Sequence, residues 1–345
     1  MPTDRAGADL SPRIFRFFLF NDMHFRNPSV TGRGPNYPCA NEKARWAFEC
    51  ARGEHGFEPP DFIVSAGDII DGELGDYDRD FDHLRSELLA DLPVPFLPCL
   101  GNHENCQGEG IPEQNAAYDR CFGPGWRNYI FTCGGIAFIV MDTTGAHRVG
   151  DEVTDARNAF LRRALAQVAG MPVILVTHVP LIAMREEGPL RASFGFSSWR
   201  VLETGLLRAI DEERERVIAV LCGHTHLTGV QERLGIYHIM PAGTAGYPAD
   251  FASFDVYADR IEVQMHRAPE QWLDRGGNIH GKPRWEVDYV DERHEDHEAY
   301  LWGNESERRV TVRLEGMKRA ARGGEGLKVW REGGGAWEEL GAGRH

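Results

Sequence analysis

The chain has 345 residues, 42% hydrophobic and 26% charged, an ordinary globular composition with room for one large α/β domain or two modest ones. Its formal net charge of −15 argues against a broad basic face for nucleic acid or an anionic membrane, although bound metal ions can still create a locally positive site. The seven cysteines are odd in number and include no CxxC pair, which points to reduced thiols and a cytoplasmic setting rather than a disulfide framework. The N-terminal apolar run is broken by Arg16 and is too short for a signal peptide, and no stretch approaches the roughly 18 apolar residues of a membrane-spanning helix.

In chain order, short apolar runs recur, each ending in polar or glycine-rich residues: "IFRFFLF" (14–20), "DFIVSAG" (61–67), "VPFLPCLG" (94–101), "IAFIVMD" (136–142), "MPVILVTH" (171–178), "RVIAVLCGH" (216–224) and "GIYHIMPAG" (235–243). Length and β-branched content predict strands, and near-continuous apolarity predicts burial on both faces. Amphipathic stretches at 40–52, 80–92, 154–170 and 197–213 alternate with them and predict helices, with Thr154 as an N-cap and Gly205 as a weak point. Strands alternating with helices give the α/β class. After about residue 268 the texture turns acidic and then glycine-rich, so residues 12–268 are expected to form one domain and 269–345 a C-terminal extension, partly packed and partly mobile.

Residues with metal-ligand chemistry follow strand after strand. Asp22 and His24 stand in "NDMH", Asp68 in "GDIID", Asn102 and His103 in "GNHE", His178 after "VILV", and His224 and His226 after "VIAVL". Open α/β sheets build their sites at these carboxyl ends. Any one of these residues alone reads as a turn residue, a strand cap or a core histidine. Five such blocks in order do not. Carboxylate, amide and imidazole donors without a thiolate suit Mn, Fe, Zn or Co. The set exceeds the needs of one ion and suits two sharing a carboxylate, a geometry that clamps a phosphoryl group with ions about 3.5–4 Å apart.

The ordered blocks Asp-x-His, Gly-Asp, Gly-Asn-His-Glu, His and Gly-His-x-His resemble the calcineurin-like metallophosphoesterase superfamily, over residues 14–245, roughly two-thirds of the chain. The resemblance implies an α/β fold, a four-layer α/β/β/α sandwich with a dinuclear metal site at the carboxyl ends of the strands. It implies Asp22, His24 and His226 as ligands of a first metal, Asn102, His178 and His224 as ligands of a second, and Asp68 as the bridge. His103 matches the histidine that protonates the leaving group, and Asp71 the acid that orients it. Two departures stand out: Gly72 occupies the place of the arginine that clamps phosphate in serine/threonine-phosphatase relatives, and Asp71 that of the tyrosine ligand of purple acid phosphatases.

The expected function is hydrolysis of a small phosphoester by a metal-activated hydroxide with His103 as general acid. A phosphodiester is favoured, a 3′,5′-cyclic nucleotide among the possibilities, because a monoanionic diester has less need of the missing arginine. A phosphomonoesterase is the alternative, with Arg33 or Arg127 in place of the clamp. A nuclease is disfavoured by the acidic charge, and a non-catalytic scaffold by the complete ligand set. No nucleic-acid or membrane partner is expected. The segment from Asn105 to about Trp126 reads as a loop-rich wall over the site rather than a linker, shaped without adding a helix layer. Trp126 and Tyr129 read as packing residues, Tyr247 as a neighbour of the site, and "HEDHE" (294–298) as a solvated acidic face.

Overall fold

The computed structural model describes residues 11–29, 37–72, 75–105, 112–188, 199–273, 297–314, 326–331 and 335–340. From the N-terminus these residues form β1 (Phe15–Phe20), α1 (Ala40–Ala51), β2 (Phe62–Ser65), α2 (Tyr77–Leu84), β3 (Phe96–Leu97), α3 (Pro112–Phe122), β4 (Tyr129–Cys133) and β5 (Ile136–Val140). Next come α4 (Glu152–Gln167), β6 (Val173–Val176), α5 (Gly205–Glu212), β7 (Val217–Leu221), β8 (Gly229–Arg233), β9 (Ile236–Met240), β10 (Asp250–Val256) and β11 (Arg260–Arg267). The C-terminal part adds α6 (His297–Trp302), α7 (Glu305–Arg308), β12 (Arg309–Arg313), β13 (Lys328–Arg331) and β14 (Glu338–Glu339).

Two sheets result, in strand orders β12-β11-β10-β1-β2-β3 and β14-β13-β4-β5-β6-β7-β9-β8. The neighbours β1, β2 and β3 run parallel, as do β5, β6, β7 and β9. The period-two alternation of "FRFFLF" sorts its aromatics between two interfaces. Phe17 turns towards the second sheet, its ring 5.3 Å from Phe138, while Phe20 turns the other way and lies 5.2 Å from Phe48 of α1. The far face of the second sheet is covered by α4 and α5, where Phe160, Leu161 and Ile210 pack with Ile139 and Leu175. Helix, sheet, sheet and helix stack in that order, the expected four layers.

Several boundaries differ from the sequence expectation. Helix α4 is capped by Asp151, whose carboxylate accepts the Thr154 N–H at 2.9 Å, while Thr154 returns the bond as the third helical residue of a capping box. Gly205 opens α5 instead of weakening its middle. The expected helix at 80–92 starts earlier, as α2, and widens over Arg85–Leu89 into a π-turn. The Asn105–Trp126 segment does add a helix, because Tyr118 and Phe122 recur at i, i+4 and bury against Phe81 of α2; residues 106–111 lie outside the described residues. Trp126 and Tyr129 are buried packing residues.

Strands β4, β8, β10, β11 and β12 escape a search for continuous apolar runs. For β8, β11 and β12 the reason is partial exposure, and in β11 buried and part-exposed residues alternate as they do where one face meets solvent. Strands β4 and β10 are buried nearly throughout, and β10 carries Asp250, Ser253 and Asp255 in its run. Beyond residue 268, β12 extends the first sheet beside β11, and β13 extends the second beside β4. Residues 274–296, which include most of "HEDHE", lie outside the described residues.

Candidate metal centre

The parallel strands end at one edge, where the chain turns out of the sheets. The ladder between β1 and β2 continues irregularly past both strands. Asp22 N–H donates to Gly67 O at 2.9 Å, and the N–H groups of Met23 and His24 both donate to Asp68 O, at 2.8 and 3.0 Å. This sets Asp22 and His24 beside Asp68. The second sheet is tied in by the Asp22 carboxylate, which accepts the His224 N–H at 2.9 Å, and by His178 Nδ1–H donating to Ala66 O at 2.8 Å. Asp22, His24, Asp68, His224 and His226 all have positive φ, between 44° and 79°.

Two groups of donor atoms that share Asp68 form there, beside a third made by His24, Asp71 and His103. Asp22, His24, Asp68 and His226 converge in one; Asp68, His178 and His224 converge in the other. In the first, His24 Nε2 faces His226 Nε2 at 3.2 Å, and Asp22 Oδ1 lies 3.3 Å from His226 Nε2. In the second, His178 Nε2 is 3.2 Å from Asp68 Oδ2 and 2.9 Å from Asn102 Oδ1. Asp68 is common to both. The ligand candidates from the sequence are therefore brought together at this edge, with Asn102 beside His178.

The donor set fits cations. His178 Nδ1–H donates to Ala66 O at 2.8 Å, so Nε2 is the nitrogen that faces Asp68 and Asn102, an arrangement that needs a proton or a metal cation between them. Two facing imidazole nitrogens in the first group pose the same demand. The titrations reflect the crowding. Burial pulls the His24 imidazole well below its ordinary value, with the neighbouring histidines adding to it. For His178 burial also pulls down, but the Asp68 carboxylate wins and lifts it to about 9. Asp68 is raised by burial yet held well below the usual carboxylate range by His178 and His103.

A model of the family described as calcineurin-like phosphoesterase matches residues 15–227, more than half of the chain. The chain belongs to the calcineurin-like phosphoesterase family. Its members are dimetal-dependent hydrolases of phosphoester bonds, and the His/Asp cluster is where this one can hold metal. Solved structures share the fold at low identity. A dimetal phosphatase from Danio rerio is 16% identical with a TM-score of 0.52, over 74% of this chain and 97% of that one. A purple acid phosphatase from yellow lupin (Lupinus luteus) seeds is 15% identical with a TM-score of 0.55, over 75% of this chain and 52% of that one. No curated protein matches the sequence.

Around this phosphoesterase centre, His103 sits beside the first group, its ring centroid 4.3 Å from that of His24. Its Nδ1–H donates to the backbone carbonyl of Asp71; the Asp71 carboxylate is 3.9 Å away and pairs instead with Arg26 Nε at 2.8 Å. Burial opposes protonation of His103, but Asp68 and the Asp71 carbonyl raise it overall. A Cβ at Gly72, where φ is +61°, would collide with His103 O, so this backbone has no room for a clamping arginine. Arg127 is tied to Asp119 and the Asn115 carbonyl, and Arg33 lies outside the described residues.

Three contributors carry no signal of their role in the sequence. Glu104, the last letter of "GNHE", is fully buried and accepts the N–H groups of Asp68, Ile70 and Gly101 at 3.0, 2.9 and 2.7 Å. Arg26 finds Asp71 only through the fold. Tyr37 lays its ring 4.9 Å from His226 and 4.7 Å from His24. The loop of Tyr247 adjoins the first group, since a Cβ at Gly246 would lie 2.8 Å from His226 Nδ1.

Proposed function

We propose that this protein hydrolyses a small phosphodiester, with a 3′,5′-cyclic nucleotide as the leading candidate, at a dinuclear centre. Asp22, His24 and His226 would hold one ion, Asn102, His178 and His224 the other, and Asp68 both. The ions would be of the Mn, Fe or Zn class, supplying Lewis acidity and a water whose pKa falls towards about 7. The observation that carries the reading is Asp68 standing between two donor groups, with His103 at their margin.

Asp71 fixes the tautomer of His103. With Nδ1–H committed to that carbonyl, Nε2 is the nitrogen that delivers a proton to the departing oxygen. Hydrolysis needs no serine or cysteine nucleophile. The ester's single negative charge would need only the ions held by these residues and neutral donors, since Arg26 spends its charge on Asp71. The acidic surface disfavours long nucleic acids. The six described cysteines are free thiols, which supports a reducing, cytoplasmic setting, and among the described residues no helix is long and apolar enough to cross a membrane.

The second reading is a phosphomonoesterase on the same centre, favoured by the two fold relatives, both named phosphatases. Comparative kinetics at fixed metal separates them: bis-p-nitrophenyl phosphate and 3′,5′-cyclic AMP against p-nitrophenyl phosphate. The expected result is a higher kcat/KM for a diester. A monoester preferred by about tenfold over both, about 1.4 kcal/mol of transition-state stabilisation, overturns the diester reading.

A further inference from the structure

The family match ends at residue 227, yet the segment from Ala299 to Arg308 is seated on the loops that follow the ligands. Thr228, two residues after His226, donates its N–H to Leu301 O at 2.7 Å. Arg185, in the stretch after His178, donates from Nε to Tyr300 O at 3.0 Å and from its terminal nitrogens to Thr228 O and Glu307. Glu307 also accepts the Val230 N–H at 3.3 Å. One guanidinium thus joins the His178 loop, the His226 loop and the C-terminal segment.

Two further contacts reach the same place. Tyr300 and Leu301 complete a small apolar cluster with Met184, Cys222 and Leu227, separate from the two larger cores. Cys222 and Leu227 bracket the stretch that carries His224 and His226. Trp302 carries the Arg267 guanidinium 4.1 Å above its ring, and Arg267 in turn lies over Tyr247 at 4.9 Å, next to the glycine packed on His226.

We infer that residues 299–308 position His226 against Asp22 and His24, so that the first metal group of this chain is completed by its own C-terminal segment. The inference rests on the metal reading of the centre. The Arg185–Glu307 pair is only 11% and 12% exposed, and such a pair contributes little net stability while fixing geometry. The loops it fixes begin at His178 and His226.

The test compares full-length wild type with Leu301→Ala and Glu307→Gln by Mn²⁺ titration without substrate, read by calorimetry and electron paramagnetic resonance. Val312→Ala, a truncation in the buried face of β12, is the stability control. Leu301→Ala and Glu307→Gln are expected to loosen one ion about tenfold or more, the usual cost of disturbing a ligand's support, and that ion should be the one removed by His226→Ala. Val312→Ala should lower the Tm with both affinities unchanged. Wild-type binding in both segment variants overturns the inference, as does equal loosening by Val312→Ala. Wild type that binds no Mn²⁺ overturns the metal reading and the inference with it.

Discussion

The carboxylate of Glu104 accepts the backbone N–H of Asp68 at 3.0 Å from a position with no solvent exposure. Burial, and then Asp68 itself, pushes the Glu104 carboxyl up to about 7, against the pull of its backbone donors.

Glu104→Gln keeps the shape but turns one accepting oxygen into an amide donor facing N–H groups. Leaving a buried donor unpaired costs about 1–3 kcal/mol, more where a charged acceptor is lost. The variant should therefore unfold at a lower urea midpoint by a margin of that order, and bind metal more weakly through a displaced Asp68. An unchanged midpoint would contradict the support assigned to Glu104.

Asp68→Asn should weaken both metal groups, whereas His226→Ala should weaken chiefly the one it shares with Asp22 and His24. Elemental analysis of loaded protein, coupled to calorimetric titration, reads the difference. Wild type that never exceeds one ion per chain would end the dinuclear reading.

His103→Ala should retain both ions, since its ring lies beside the groups and donates to the Asp71 carbonyl. Turnover should fall by about 10²–10⁴, the usual worth of a general acid. The loss should be largest for poor leaving groups. Equal losses for good and poor leaving groups would remove the proton-donor role.

His238, in β9, is fully buried, and neither ring nitrogen has a hydrogen-bond partner among the described residues. Burial, helped by Arg233, pushes it down to about 4. An unfolded histidine takes its proton near 6.5, the folded one not until about 4, so stability falls as pH drops through that window and is untouched above it. The slope approaches about 1.4 kcal/mol per pH unit. In metal-free protein, His238→Leu should flatten the loss of urea midpoint between pH 7 and pH 4.5. A variant with the parent's pH profile would show that His238 does not drive it.

The ligand candidates were legible because each stands directly behind an apolar run, so the run locates the strand and its end locates the site. His224 and His226 illustrate the limit of that pattern. Their spacing announced two imidazoles, but only the turn after β7 sends them to different groups. Glu104 could be read as a letter of a motif but not as an acceptor for three backbone donors, since that depends on how two loops close on each other. The Arg26–Asp71 pair joins residues 45 positions apart by number, which no local pattern encodes. Helix α3 was hidden by glycine and proline on either side of it. Strands β8, β11 and β12 were hidden by polar residues that one solvated face permits.

The left-handed backbone at Asp22, His24, Asp68, His224 and His226 restricts which chemical elements the centre can be rebuilt to prefer. Aspartate, asparagine and histidine enter that conformation more readily than other side chains, and they are also oxygen and nitrogen donors. A cysteine at any of these positions would have to carry about 1–2 kcal/mol of conformational cost as well as a new donor. Exchanging the centre for one that favours soft, thiophilic ions therefore meets resistance from the handedness of the main chain before any question of cavity size arises.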